Sequence, residues 1–296
     1  MPRAARIKHE EAIYHIMVRS ISEIDLFRDS EDKIKYLSII RKCQLKYRFA
    51  IYAYCLMDNH GHLIVDSLGG DISRIMHYIN FCYAQYYNRK YKRHGHVFQD
   101  RFKSKVIDNK RYMVTVSAYI HNNPKDITKY KENVQNYPFS SLKEYINKTN
   151  TFGILKRSFF ESLLGFEHEE SRKAYLKLIK ISDEKIMESS IEFVDIKTEY
   201  QSHRKIISRY YTPSQIIQYV SNFLNLDTKN IYLKYRPEYI KLRALSCFLM
   251  NVFCNMTQKE ICEVIGNVTQ SGVSYLSSKG LEYTLQEGRV LEKFIA

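Results

Sequence analysis

No stretch of this sequence approaches the roughly 18 consecutive apolar residues that a membrane-crossing helix requires, so a helical membrane protein is excluded. The opening residues Met1-Pro2-Arg3-Ala4-Ala5-Arg6 lead into no apolar core, and no secretory signal is expected. The six cysteines (Cys43, Cys55, Cys82, Cys247, Cys254 and Cys262) contain no CxxC pair, which removes zinc-knuckle and thioredoxin readings. They are expected as free, mostly buried thiols in a reducing cytoplasm. There are no internal repeats and no low-complexity linker. Tryptophan is absent, and 25 tyrosines and 15 phenylalanines carry the whole aromatic content.

What is present is positive charge, unevenly placed. The 296 residues hold 46 Lys and Arg against 32 Asp and Glu, a net of +14. Residues 1–150 hold 26 basic and 15 acidic side chains, a net of +11, and residues 151–296 hold the remaining 20 and 17, a net of +3. A basic half beside a near-neutral half points to a polyanionic partner, most simply nucleic acid, for which interleaved aromatics supply stacking surfaces.

Periodicity gives the element order. Ile13–Val18 alternates as a strand, and Glu31–Tyr47 carries one apolar helical stripe. Phe49–Met57 and His60–Val65 read as a hairpin turning at Asp58-Asn59, followed by a helix from Ile72 to about Arg93. Val97–Ile107 looks extended, and a helix from Asn109 stops before Pro124. This β-α-β-β-α-β-α order predicts an α+β fold, a ferredoxin-like antiparallel sheet with helices. Residues 151–208 read as a helical connector and residues 209–296 as all-helical, opened by the capping sequence Thr212-Pro213-Ser214-Gln215.

The sharpest chemical feature is Asn59-His60-Gly61-His62. Side chains at i and i+2 of a strand share a face, so His60 and His62 project together at a separation suited to one metal ion. A second such triplet, His94-Gly95-His96, falls at a helix end where Gly95 is expected at positive φ; it reads as a phosphate-contacting turn. Residues 89–110 carry eight basic side chains, and Arg101, Lys103 and Lys105 alternate along the expected strand. Such a row tracks a nucleic-acid backbone or protects a sheet edge. Arg93, His96 and Gln99 join them as candidate DNA contacts. Tyr119 and Asn123, four residues apart, share one helix face.

Taken together, Tyr54-Cys55-Leu56-Met57-Asp58-Asn59-His60-Gly61-His62-Leu63-Ile64, Gly95-His96-Val97-Phe98-Gln99-Asp100-Arg101-Phe102-Lys103-Ser104, Tyr119-Ile120-His121-Asn122-Asn123-Pro124 and Tyr137-Pro138-Phe139-Ser140-Ser141 resemble the single-tyrosine HUH transposases, in particular their REP-associated branch. The resemblance covers about residues 8–145. It implies an HUH nuclease domain over residues 1–150. It also implies a metal site at His60 and His62 with Asn123 as a third polar contact, a divalent Mg or Mn ion as cofactor, and Tyr119 as nucleophile. Tyr112 is the second choice. The implied reaction is cleavage and joining of single-stranded or hairpin DNA through a 5′-phosphotyrosine. Two positions depart from the family pattern. Gly61 replaces a bulky hydrophobic residue between the histidines, and Asp58 replaces a proline. Gly61 keeps open an alternative, a catalytically inactive hairpin-binding regulator. A metal hydrolase acting on small molecules fits the two histidines but not the basic row.

In the C-terminal half, Thr257–Gly266 and Thr269–Leu276 read as helix-turn-helix, with Thr257 and Glu260 as a capping box. Residues Thr212–Lys279 resemble the DNA-binding domain of the replication initiator DnaA. Gln270, Ser271, Ser274 and Ser277 are its expected exposed contacts. The location expected is cytoplasmic, and the chain is expected as a monomer or homodimer.

Overall fold

The computed structural model describes residues 12–166, 168–182 and 207–295. The chain divides into two compact units that meet in sequence near residue 205. The first begins with β1 (Ile13–Arg19), α1 (Ser30–Tyr47), β2 (Ala50–Leu56), β3 (His60–Asp66), α2 (Ile72–Lys90), β4 (Lys103–Ile107) and α3 (Lys110–Asn122). This is the expected order. The four strands form one antiparallel sheet in the order β2-β3-β1-β4, the ferredoxin-like arrangement. The hairpin turn at Asp58-Asn59 closes with Met57 N–H donating to the His60 carbonyl at 2.8 Å.

The two sheet edges are handled differently. β2 is buried along its whole length, because the chain after α3 folds back over it. The Leu56 N–H donates to the Phe139 carbonyl at 3.0 Å, and the Lys156 N–H to that of Ile51 at 2.9 Å. The backbone groups an edge strand would leave unpaired are thereby used. β4 forms the other edge, and there Lys103 and Lys105 are exposed.

Aromatic packing fills one side of the sheet. Phe27, Tyr36 and Tyr83 meet with ring centroids 5.1–5.4 Å apart, joining α1 to α2. α3 is started by Asn109, whose side chain accepts from the Tyr112 N–H. It is held at its other end by buried His121, whose ring nitrogens bond Tyr175 Oη at 2.8 Å and Ser141 Oγ at 2.7 Å. Tyr175 comes from the later part of this unit, where α4 (Ser141–Ile146), α5 (Arg157–Leu164) and α6 (Glu169–Ile181) follow. The connector expected over 151–208 thus supplies two helices of the first unit, and residues 183–206 lie outside the described part.

Three local expectations need correcting. The segment from Val97 is not continuously extended: it makes one bridge, Phe98 to Ser20, before β4 starts at Lys103. Arg101 therefore precedes the strand and is not in its alternating row. α2 ends at Lys90, because Lys92 takes a positive φ of 50° and breaks the helix before Arg93.

The second unit contains α7 (Pro213–Leu224), α8 (Pro237–Phe253), α9 (Gln258–Ile265), α10 (Gln270–Gln286) and α11 (Glu292–Ile295). Both expected capping boxes form, at Thr212 with Gln215 and at Thr257 with Glu260. α8 is buried on all sides from Leu242 to Phe253 and is the spine of this unit. α10 crosses it at Gly280, where a Cβ would fall 2.1 Å from the Ala244 carbonyl oxygen. Ser277, expected as an exposed contact, faces this packing and is buried. It lies three residues before Gly280, one turn from the close contact with α8.

Candidate active site

Strand alternation puts His60 and His62 on one face of β3, with ring centroids 5.2 Å apart. Register then adds neighbours from other strands. Met17 of β1 pairs with His62, so His15, two residues earlier, lies on the same face. His15 Nε2 and His62 Nδ1 are 3.1 Å apart, and the rings stack. On β4, Lys105 pairs with His15 and Lys103 with Met17, so both lysines share this face. At the end of β1, Arg19 pairs with His60.

α3 brings the tyrosine. The Tyr119 ring lies edge-on to His62 at 5.4 Å and to His15 at 6.4 Å. One helical turn later, Asn123 Nδ2 donates to the Tyr119 carbonyl at 2.9 Å. That bond fixes the amide so that its Oδ1 faces His60 Nε2 at 3.1 Å. Tyr112, the second-choice tyrosine, packs instead beneath Lys105, whose Nζ is 4.8 Å from its ring centre.

The electrostatics of this cluster are distinctive. Burial, with a smaller contribution from Lys105, lowers the His15 pKa to about 4. Burial also holds His60 below its usual value, and His62 well below it, with further depression of His62 by His15 and His60. All three imidazoles are therefore neutral near pH 7, the form that ligates metals. His60 Nδ1 lies 2.6 Å from Asn59 Oδ1 and Nε2 lies 3.1 Å from Asn123 Oδ1; both oxygens only accept, neutral His60 has one ring proton, and the shorter contact places it on Nδ1. The lone pair on Nε2 then faces the Asn123 oxygen with no hydrogen between them. Two acceptors in this arrangement fit a shared cation. Among the described residues no three His, Cys, Asp or Glu side chains converge as a ligand set, so the donors present are His60, His62 and the Asn123 amide.

Gly61 leaves no hole. A Cβ there would meet Leu56 Cδ2 at 3.0 Å and Val18 Cγ2 at 3.4 Å, so neighbouring side chains fill the space on the face opposite the histidines. Asp58 forms an ion pair with Lys33 at 2.7 Å, and this bond anchors the turn that leads into His60.

The remaining candidates are more dispersed. Arg93 is half-buried, with its guanidinium 5.9 Å from the Tyr87 ring centre. His96, Gln99 and Arg101 are exposed, Gly95 has φ 94°, and the Gln99 N–H donates to the Arg19 carbonyl at 2.9 Å. Gln270, Ser271 and half-buried Ser274 belong to the first turns of α10 in the second unit. Sequence reading missed His15, Arg19 and Asn59 as neighbours of the pair. Alternation along β1 placed His15 on one face of that strand, but only the register between strands shows which residues it meets.

The site thus brings a neutral histidine pair, an amide oxygen and the Tyr119 ring of α3 together on one face of the ferredoxin-like sheet. Residues 8–123 match the family model described as transposase IS200-like. Among solved structures, a REP-associated tyrosine transposase bound to a REP hairpin aligns at 19% identity, over 52% of this chain and 88% of that one, with a TM-score of 0.43. No curated protein matches the sequence. Among the described residues, no helix is long and apolar enough to cross a membrane.

Proposed function

We propose that the first unit cleaves and rejoins single-stranded DNA next to a hairpin, the activity implied by its resemblance to the REP-associated tyrosine transposases, with Tyr119 as nucleophile. The observation that carries this reading is the contact of the Tyr119 ring with His62 beside the opposed His60 and Asn123 acceptors. In the forward step Tyr119 Oη gives up its proton and bonds to phosphorus. The phosphorus–O3′ bond breaks, and the 3′ oxygen takes up a proton as it leaves. The product is a 5′-phosphotyrosine and a free 3′-hydroxyl. The phosphoryl bond is retained on the protein, so rejoining by a 3′-hydroxyl needs no nucleotide cofactor.

His60, His62 and Asn123 would hold a divalent Mg or Mn ion, which when bound supplies charge stabilisation at the scissile phosphate. His15 positions His62. Asn123 orients toward His60 while its own amide is tied to the helix that carries Tyr119. Lys103 and Lys105 hold the strand backbone on the same face, and His96, Gln99, Arg93 and Arg101 flank them. In the second unit, α9 and α10 act as a helix-turn-helix, with Gln270, Ser271 and Ser274 contacting duplex DNA.

The test is incubation with pools of hairpin and flap DNA in Mn²⁺ or Mg²⁺ and in EDTA, followed by a denaturing gel. A metal-dependent protein–DNA adduct that maps to Tyr119 and is lost in Tyr119→Phe is the expected result. An adduct on another tyrosine refutes the residue assignment. Tight hairpin binding without any adduct refutes catalysis and leaves a DNA-binding regulator.

A further inference from the structure

The substrate of the proposed reaction is a phosphodiester whose oxygens gain charge as the tyrosine attacks. Lys103 and Lys105 stand on the β4 side of the histidine face, and Arg19, two residues beyond Met17, extends the same face of β1. It is the last residue of β1, directly across the ladder from His60, and it is exposed.

Beside Arg19 is a polar pocket lined by the loop from Ser20 to Asp25 and by Asn59, the residue next to His60. The loop is tied down on several sides. The Ser20 N–H donates to the Asn59 carbonyl at 3.0 Å, the Ile21 N–H to that of Val97 at 3.1 Å, and Tyr87 Oη to that of Asp25 at 2.8 Å. A pocket fixed in this way binds without an ordering cost. Its exposed carboxylates, Glu23 and Asp25, only accept hydrogen bonds. They repel phosphate but match the exocyclic amino groups of cytosine, adenine or guanine, which thymine lacks.

We propose that Arg19 and this pocket form the subsite for the nucleotide adjoining the bond that Tyr119 attacks. The guanidinium grips a phosphate oxygen, and a base bearing an exocyclic amine enters between Glu23 and Asp25. A planar guanidinium suits two phosphate oxygens at once, so lysine is an incomplete substitute.

The inference rests on the DNA-cleaving reading, and its test separates the two. Adduct formation is measured for wild type, Arg19→Gln and Arg19→Lys on the oligonucleotide that wild type cleaves, with cytosine or thymine placed at each position beside the junction. DNA affinity is measured in parallel in EDTA by fluorescence anisotropy, and thermal melts confirm that each variant is folded. Arg19→Gln is expected to lower kcat/KM on the order of 100-fold, as loss of an oxyanion donor does, and to weaken metal-free binding about tenfold. Arg19→Lys recovers part of both. Wild type favours cytosine over thymine at one position, and the combined Glu23→Gln, Asp25→Asn variant loses that preference. A folded Arg19→Gln variant with wild-type affinity overturns the inference, as does wild-type indifference to the junction base. Absence of an adduct from the wild type itself refutes the cleavage reading instead, and the metal-free affinities still decide whether Arg19 grips DNA.

Discussion

His62 Nδ1 lies 3.1 Å from His15 Nε2, 47 residues away in sequence. This contact sets the orientation of the His62 ring, and with it the direction in which the remaining nitrogen points. Neighbours that orient a metal-binding histidine typically contribute 10–100-fold to affinity or activity. Replacement of His15 by alanine is expected to lower Mn²⁺ affinity and the rate of adduct formation by about that factor, with the tyrosine still labelled. Unchanged metal titration curves would show that His15 is a packing residue.

Gly61 is accommodated by Leu56 and Val18, whose methyl groups lie 3.0 Å and 3.4 Å from where a Cβ would be. Gly61→Val is therefore expected to cost about 1–3 kcal/mol by overpacking. Combining it with Leu56→Ala should cost less than the sum of the two changes, because the deletion makes room for the insertion. Urea melts of the four species in this cycle give the coupling; additive costs would mean that the two sites do not share the space.

Lys103 and Lys105 share the face of His15 and His62 through the β1–β4 register. If both meet phosphates, the double alanine variant weakens single-strand binding and lowers the slope of log K against log salt by about 1.4, at about 0.7 for each phosphate no longer neutralised. The expected weakening is uniform across sequences, because a lysine on a phosphate reads no bases. A salt slope unchanged from wild type would reduce these lysines to protectors of an exposed sheet edge.

His121 is fully buried between Ser141 and Tyr175, and burial lowers its pKa to about 3. The folded protein resists protonating this ring, while the unfolded chain protonates it near pH 6.5. Below pH 6.5 the unfolded state thus binds the extra proton, and stability falls as pH is lowered toward 3. Between pH 7 and pH 5 the loss from this residue is about 2 kcal/mol. His121→Asn should be less stable at pH 7 but show a shallower fall on acidification, read by denaturant melts across that range. An equally steep fall would assign the acid sensitivity to other groups.

In the second unit, the close approach of α10 to α8 depends on the absence of a side chain at Gly280, where a Cβ would meet the Ala244 carbonyl oxygen at 2.1 Å. Gly280→Ala raises intrinsic helix propensity by about 1 kcal/mol. The backbone contact must nevertheless open, and the net effect expected is destabilisation of about 1–3 kcal/mol. A calorimetric scan that shows stabilisation would mean the two helices separate without loss.

Local patterns in the sequence determined a great deal. The order of strands and helices, the turn at Asp58-Asn59, the caps at Thr212 and Thr257 and the shared face of His60 and His62 all depend on residues within a few positions of each other. Strand alternation and helical spacing are properties of the local backbone, so they are legible one segment at a time. Helix spacing likewise joins Tyr119 to Asn123. The failures were of two kinds. Arg101 and Arg93 were assigned to elements that end earlier or begin later, because the endpoints depend on where pairing partners run out. Ser277 was placed outside because the packing of α10 on α8, not its polarity, decides which side is covered. Tertiary structure alone decided the rest. The β1–β3 register set His15 against His62 and Arg19 across from His60. The docking of α3 turned the Asn123 oxygen toward a ring 63 residues earlier, and Leu56 filled the space that Gly61 leaves. Each of these depends on contacts between segments distant in sequence, which no local period encodes.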